Sequence, residues 1–115
     1  MAQIQRFEVG PRMSQAVVHG DTVYLAGQVN NQAADVTGQT RNVLAQIDKL
    51  LAAAGSSKEK ILTATIYLTD IKTFGQMNAA WEAWVPSGAT PARTTLEANL
   101  AAPEYLVEIT VVAAK

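Results

Sequence analysis

The chain has no cysteine and a single histidine, His19. The first absence excludes disulfides, thiolate nucleophiles and thiolate metal sites. The second leaves too few ligands for an ordinary zinc centre, and His19, beside Gly20 in a turn pattern, reads as a solvated turn residue. Charge is also scarce: Asp, Glu, Lys and Arg make up 17% of the residues, against roughly 25% in a typical soluble domain. The nine basic residues are scattered and the net charge is −1. No positive stripe exists for a phosphate backbone, which makes nucleic acid a poor partner. No apolar run approaches the roughly 20 residues of a membrane helix. The opening residues Met1 to Phe7 carry no apolar h-region, so the expectation is a cytoplasmic protein with no membrane partner. Dinucleotide, Walker A and G-x-S-x-G patterns are missing, and Ser57-Lys58-Glu59-Lys60 matches Ser-x-x-Lys without its companion motifs.

What is present fits one domain over residues 1–115, with 49% hydrophobic residues. A small domain has a high surface-to-volume ratio and usually needs more charge than this. The shortfall implies that some apolar surface is covered, most simply by other copies of the chain.

Periodicity supplies the elements. Ile4 to Val9 reads as a strand ending at the turn signal Gly10-Pro11. Ala16-Val17-Val18 and Thr22 to Gly27 read as a hairpin about His19-Gly20-Asp21. Val43, Leu44, Ile47, Leu50, Leu51 and Ala54 recur at helical spacing, predicting a one-faced helix from about Thr37 to Ala54, capped by Asp35 or Thr37 and ended by Gly55. Ile61 to Leu68 is apolar at both parities and predicts an inner strand buried on both faces. Thr73-Phe74-Gly75-Gln76 matches a capping box ahead of a helix with Met77, Ala80, Trp81 and Trp84 on one stripe, halted by Pro86. Arg93 to Asn99 and Tyr105 to Ala113 are the last strands. The order β-β-β-α-β-α-β-β predicts an α+β fold with two helices on one face of a mixed sheet. No third helix remains for the other face, which again points to self-association.

Two charges interrupt the final strands. Arg93 stands in Thr90-Pro91-Ala92-Arg93-Thr94-Thr95, and Glu108 breaks the run Tyr105 to Val112. Charge in strand-forming sequence is costly unless it is paired, solvated or awaiting a ligand. A guanidinium fork suits a carboxylate or phosphate held bidentately. The pair therefore marks a candidate site for a small anion, and an ordinary strand-edge ion pair is the competing explanation. Asn78, one turn before Trp81, reads as a surface or capping amide, and the two tryptophans read as packing against the sheet.

A succession of segments adds a resemblance: Gly10-Pro11, Ser14-Gln15-Ala16, Val23 to Gln28, Gln39-Thr40, Ala53-Ala54-Gly55, Thr65 to Asp70, Asn78, Pro91-Ala92-Arg93-Thr94 and Val107-Glu108-Ile109. Over essentially its whole length the chain resembles the RidA, or YjgF, family of reactive intermediate deaminases, as a divergent branch. The resemblance implies a chorismate-mutase-like α+β fold, a homotrimer with a central barrel and clefts between subunits. It implies cofactor-free, metal-free hydrolysis of enamines and imines such as 2-aminoacrylate to 2-oxo acids and ammonia. By position, Arg93 matches the arginine that binds the substrate carboxylate and Glu108 the acidic residue near the reacting water. Ala26, Gly27, Asn78, Thr95 and Met13 fall at the pocket. Three of these depart from the family pattern. Arg12-Met13 replaces a tyrosine before Ser-Gln-Ala, Ala26 replaces serine, and Thr95 replaces cysteine. The departures leave open a second expectation: a non-catalytic module that binds small carboxylates or a partner protein.

Overall fold

The structure is a computed structural model and describes residues 2–115. Strands β1 (Ile4–Val9), β2 (Ser14–His19) and β3 (Thr22–Leu25) form an antiparallel meander. Helix α1 (Val36–Ala53) follows, then β4 (Ile61–Leu68), helix α2 (Phe74–Trp84), β5 (Ala92–Glu97) and β6 (Val107–Ala114). The sheet order is β1-β2-β3-β6-β4-β5. β6 lies antiparallel between β3 and β4, and β4 pairs parallel with β5. The fold is α+β, two helices on a mixed six-stranded sheet.

Alternation explains which sheet face the helices cover. Along β6, Val107, Ile109, Val111 and Ala113 are buried while Glu108, Thr110, Val112 and Ala114 are half-buried. On α1 the buried stripe Val43, Leu44, Ile47, Leu50 and Leu51 packs into the same core as Ile66, Leu68, Met77 and Trp81. Each such side chain contributes about 1.5–3 kcal/mol on burial. The α1 cap falls on Asp35, whose carboxylate accepts from Gly38 N–H at 3.1 Å. Beyond the helix, Gly55 adopts φ +83°, the left-handed conformation that ends helices at low cost.

Two local expectations are corrected. Thr73 is the N-cap of α2 but makes no side-chain cap bond; its hydroxyl donates instead to Asp70 carbonyl at 2.6 Å. A single 3-10 turn, Ile71–Thr73, precedes the helix and uses Asp70 as its cap, so the hydroxyl is already committed. Strand β4 is inner in the sheet order but has only one covered face. Ala64, Ile66 and Leu68 are buried, whereas Leu62 and Thr63 are exposed and Thr65 and Tyr67 half-buried. Within one chain the second face has no covering layer, and Tyr24 and Leu96 stand 47% and 39% exposed on it. No helix is long and apolar enough to cross a membrane among the described residues.

Candidate active site

Arg93 enters β5 in register with Ala64, and Ala64 is in register with Val111. Both partners are buried, so Arg93 belongs to the helix-covered face. Its side chain reaches α2. Nη1 donates to Asn78 Oδ1 at 2.8 Å. Its Cζ lies 5.6 Å from the Phe74 ring centroid and 5.3 Å from that of Trp81. Phe74, Asn78 and Trp81 are spaced i, i+4, i+7 and share one helix face. Two aromatic rings and an amide thus hold a half-buried guanidinium. Each cation–π contact is worth about 0.5–2 kcal/mol depending on desolvation, and neither consumes a donor. Asn78 takes the one side-chain hydrogen bond Arg93 makes among the described residues, and the rest of the fork stays available for a carboxylate.

Glu108 occupies the opposite parity. It registers against half-buried Tyr67, on the face the helices leave open. Its carboxylate lies against Gly27: a Cβ built there would collide with it, with Glu108 Cδ only 2.9 Å away. Only glycine leaves room for the acid in this position. A hollow of about 400 Å³ opens beside it, lined by Gly27, Tyr67, Asn99, Leu100, Glu108 and Thr110.

The Ala26-Gly27-Gln28 segment is fixed by its neighbours. Ala26 N–H donates to Gln15 carbonyl at 2.9 Å, and Gln28 exchanges backbone bonds of 2.8 and 3.1 Å with Ile109, next to Glu108. The Gln28 side chain is 6% exposed and satisfied. Its Nε2 donates to Gln15 Oε1 at 2.9 Å and Ala26 carbonyl at 3.0 Å, and its Oε1 accepts from Gln46 Nε2 at 3.1 Å. From the other direction, buried Gln39 holds the loop leading into β6. Its Nε2 donates to the carbonyls of Ala33 and Glu104, and its Oε1 accepts from Leu106 N–H at 2.9 Å.

The residues read from the sequence therefore divide into two walls. Arg93, Asn78 and Thr95 share the helix-covered face; Glu108 and Gly27 meet at the open one, with Ala26 next to Gly27 in the chain. No ion pair joins Arg93 to Glu108, because the sheet stands between them. Thr95 registers against buried Ile66, and its hydroxyl oxygen is sealed from solvent without a hydrogen-bond partner. Met13 is 56% exposed and lines a different hollow, which also touches Gly27. Asn78 is neither a cap nor a free surface amide but the partner of Arg93. Phe74, Gln28 and Gln39 were not singled out from the sequence as parts of the site. Phe74 carried a signal in its spacing to Asn78 and Trp81, and Gln39 in standing one turn before Val43 on the apolar stripe of α1.

The family model described as Endoribonuclease L-PSP matches residues 3–115. The chain belongs to this family. Members of the same YjgF/RutC family lie close to it. The RutC family protein YoaB of Escherichia coli is 48% identical over 111 residues, spanning 96% of this chain and 97% of that protein. A solved YjgF family member from Neisseria meningitidis superposes with a TM-score of 0.97 at 45% identity, covering 98% of this chain and 95% of the other. A member of the YjgF/YER057c/UK114 family from Mycobacterium tuberculosis superposes with a TM-score of 0.89 at 28% identity, covering 98% and 100%. The family is thus established over residues 3–115 and the fold over 98% of the chain.

Proposed function

We propose that the protein is a cofactor-free hydrolase of reactive 2-imino acids and their enamine tautomers, releasing 2-oxo acids and ammonia in clefts between copies of the chain. The single observation that carries this reading is the division of the site. Arg93 keeps most of its donors uncommitted on one face, Glu108 borders a hollow on the other, and one chain cannot bring them together. A cleft formed where one copy's Arg93 wall meets another's Glu108 wall joins a carboxylate clamp to a proton carrier. A homotrimer of the kind the family resemblance implies would also cover the open sheet face carrying Tyr24 and Leu96.

The chemistry follows from those two groups. Arg93 grips the substrate carboxylate and fixes the adjacent imine carbon. The Glu108 carboxylate takes a proton from water as the oxygen bonds to that carbon. The π pair of the C=N bond moves to nitrogen, which takes a proton from solvent, giving a neutral carbinolamine and leaving Glu108 protonated. Glu108 returns its proton to the nitrogen as the C–N bond breaks. The hydroxyl gives its proton back to solvent, and a 2-oxo acid and ammonia leave. Atoms and charge balance without an external oxidant. Positioning and proton transfer each supply several powers of ten, which suffices for an electrophile this reactive. The test is release of ammonia and 2-oxo acid from freshly generated 2-aminoacrylate. Turnover unchanged in Arg93→Ala would remove the mechanism.

A second reading, a non-catalytic binder of small carboxylates, is favoured by Thr95. Its sealed hydroxyl offers a substrate neither a donor nor an acceptor. This reading expects thermal stabilisation by 2-oxobutyrate with no turnover of any imine. A ribonuclease activity, which the family description names, gains no support from a net charge of −1 and dispersed basic residues.

A further inference from the structure

The two tryptophans of α2 have different surroundings. Trp81 is buried and its ring faces Arg93. Trp84, one turn on, is half-buried at the margin of the core and is gripped by polar groups from two other elements. Its indole Nε1 donates to Asp48 Oδ2 on α1 at 2.9 Å. Its carbonyl accepts from Lys58 Nζ at 2.9 Å, and the same ammonium lies 5.4 Å from the Trp84 ring centroid. Lys58 opens a single 3-10 turn, Lys58–Lys60, that leads into β4. We infer that Trp84 is a positioning residue for the Arg93 guanidinium: Asp48 and Lys58 fix its ring, and that ring holds Trp81 against Arg93. The inference rests on the reading of Arg93 as a carboxylate clamp and deepens it.

The contacts are continuous. The Trp84 and Trp81 ring centroids are 5.4 Å apart with the planes tilted by 51°, within the range that aromatic pairs favour. Arg93 Cζ then stands 5.3 Å from the Trp81 centroid. A π face attracts a cation without fixing the direction of its donors. The plane of the guanidinium therefore follows the plane of the ring against it, and a ring free to tilt would turn the fork away from bidentate geometry.

The polar groups around Trp84 exceed what filling the core requires. A phenylalanine would cover similar apolar area and need no partner, whereas an indole N–H needs an acceptor. Here the acceptor is a carboxylate, which makes the bond charge-assisted. Lys58 meets a carbonyl in the last turn of α2, where the helix dipole favours a cation. Nearer the start of α2, Thr37 Oγ1 on α1 donates to Gln76 carbonyl at 3.1 Å. Asn78 and Trp81, which touch Arg93, lie between these two ties to α1. Asp48, Lys58 and Trp84 line neither hollow at Gly27, so they act on a ligand only through Arg93.

The experiment combines NMR of the intact protein with titration by 2-oxobutyrate. The chain has two tryptophans, so the indole region holds two signals, and Arg93→Ala identifies the Arg93 Nε–H. In ligand-free protein, Trp84→Phe, Asp48→Ala and Lys58→Met should each move the Arg93 Nε–H and Trp81 indole signals. Asp48→Asn keeps an acceptor and should restore them. The first three variants should weaken 2-oxobutyrate binding about threefold to tenfold, the range for residues that act without touching ligand. Asp48→Ala should add nothing on the Trp84→Phe background, since it works through the indole N–H. Glu82→Gln removes an exposed charge from the same end of α2 and should change neither signals nor affinity. If Trp84→Phe unfolds, Asp48→Ala and Lys58→Met at half-buried positions decide the question. The inference is overturned if these variants lower the melting temperature yet leave the Arg93 and Trp81 signals in place. It is equally overturned if Asp48→Asn fails to rescue, or if Glu82→Gln has the same effect. A wild type that binds no 2-oxobutyrate would defeat the clamp reading instead, and the ligand-free Arg93 signal would still decide whether Trp84 positions the guanidinium.

Discussion

Arg93 and Glu108 stand on opposite faces of the same sheet: Arg93 registers with buried Ala64, and Glu108 with half-buried Tyr67 on the uncovered side. A site using both must take one from each of two copies. Mixing Arg93→Ala with Glu108→Gln, each inactive alone, should then restore activity after subunit exchange. A functional cleft needs an Arg-intact copy beside a Glu-intact copy, each present with a chance of one half, so about a quarter of wild-type turnover is expected. A mixture no more active than its parts would place both residues in one subunit's own site or in none.

Self-association can be read directly. Tyr24 is 47% exposed on the open face, so Tyr24→Glu costs the isolated chain little and places charge where copies would meet. Light scattering should report a trimer for the wild type and a shift towards monomer for the variant, with circular dichroism unchanged. A monomeric wild type at micromolar concentration would contradict the assembly.

In the proposed mechanism Asn78 acts on substrate through Arg93, to which it is hydrogen-bonded. Truncation in Asn78→Ala should raise KM about tenfold while kcat changes less, because what is lost is orientation of the binding group. Asn78→Asp should weaken carboxylate binding at least as much, since the new carboxylate competes for the same guanidinium. Steady-state kinetics of both variants would check this, and an effect confined to kcat would argue against it.

Gly27→Ala tests the contact with Glu108. The added Cβ meets the flexible end of a side chain rather than backbone, so the acid moves and the fold persists. Melting temperature should shift by a few degrees at most, while kcat falls about tenfold or more. Loss of activity accompanied by unfolding would not fit.

Gln28 is a stability residue by the same geometry. Gln28→Leu leaves Gln15 and Gln46 without their partner beside a buried position. Chemical denaturation should report a loss of about 1–3 kcal/mol.

The element order, the α1 stripe and the turn at Gly20 were legible in the sequence, because they rest on local periodicity and composition. Asn78 and Phe74 were legible as helix residues but not as partners of Arg93, since their meeting depends on α2 crossing over the parallel β4–β5 pair. The expected Thr73 capping box fell to a neighbour, Asp70, whose carbonyl already holds the hydroxyl.

The sequence alone determined that an arginine and a glutamate would sit in apolar strands, because residue identity and spacing of two along a strand are written in order. Only the tertiary structure decided that the two look away from each other. Parity sets a face within each strand, but which faces align across a sheet depends on register between strands distant in the chain.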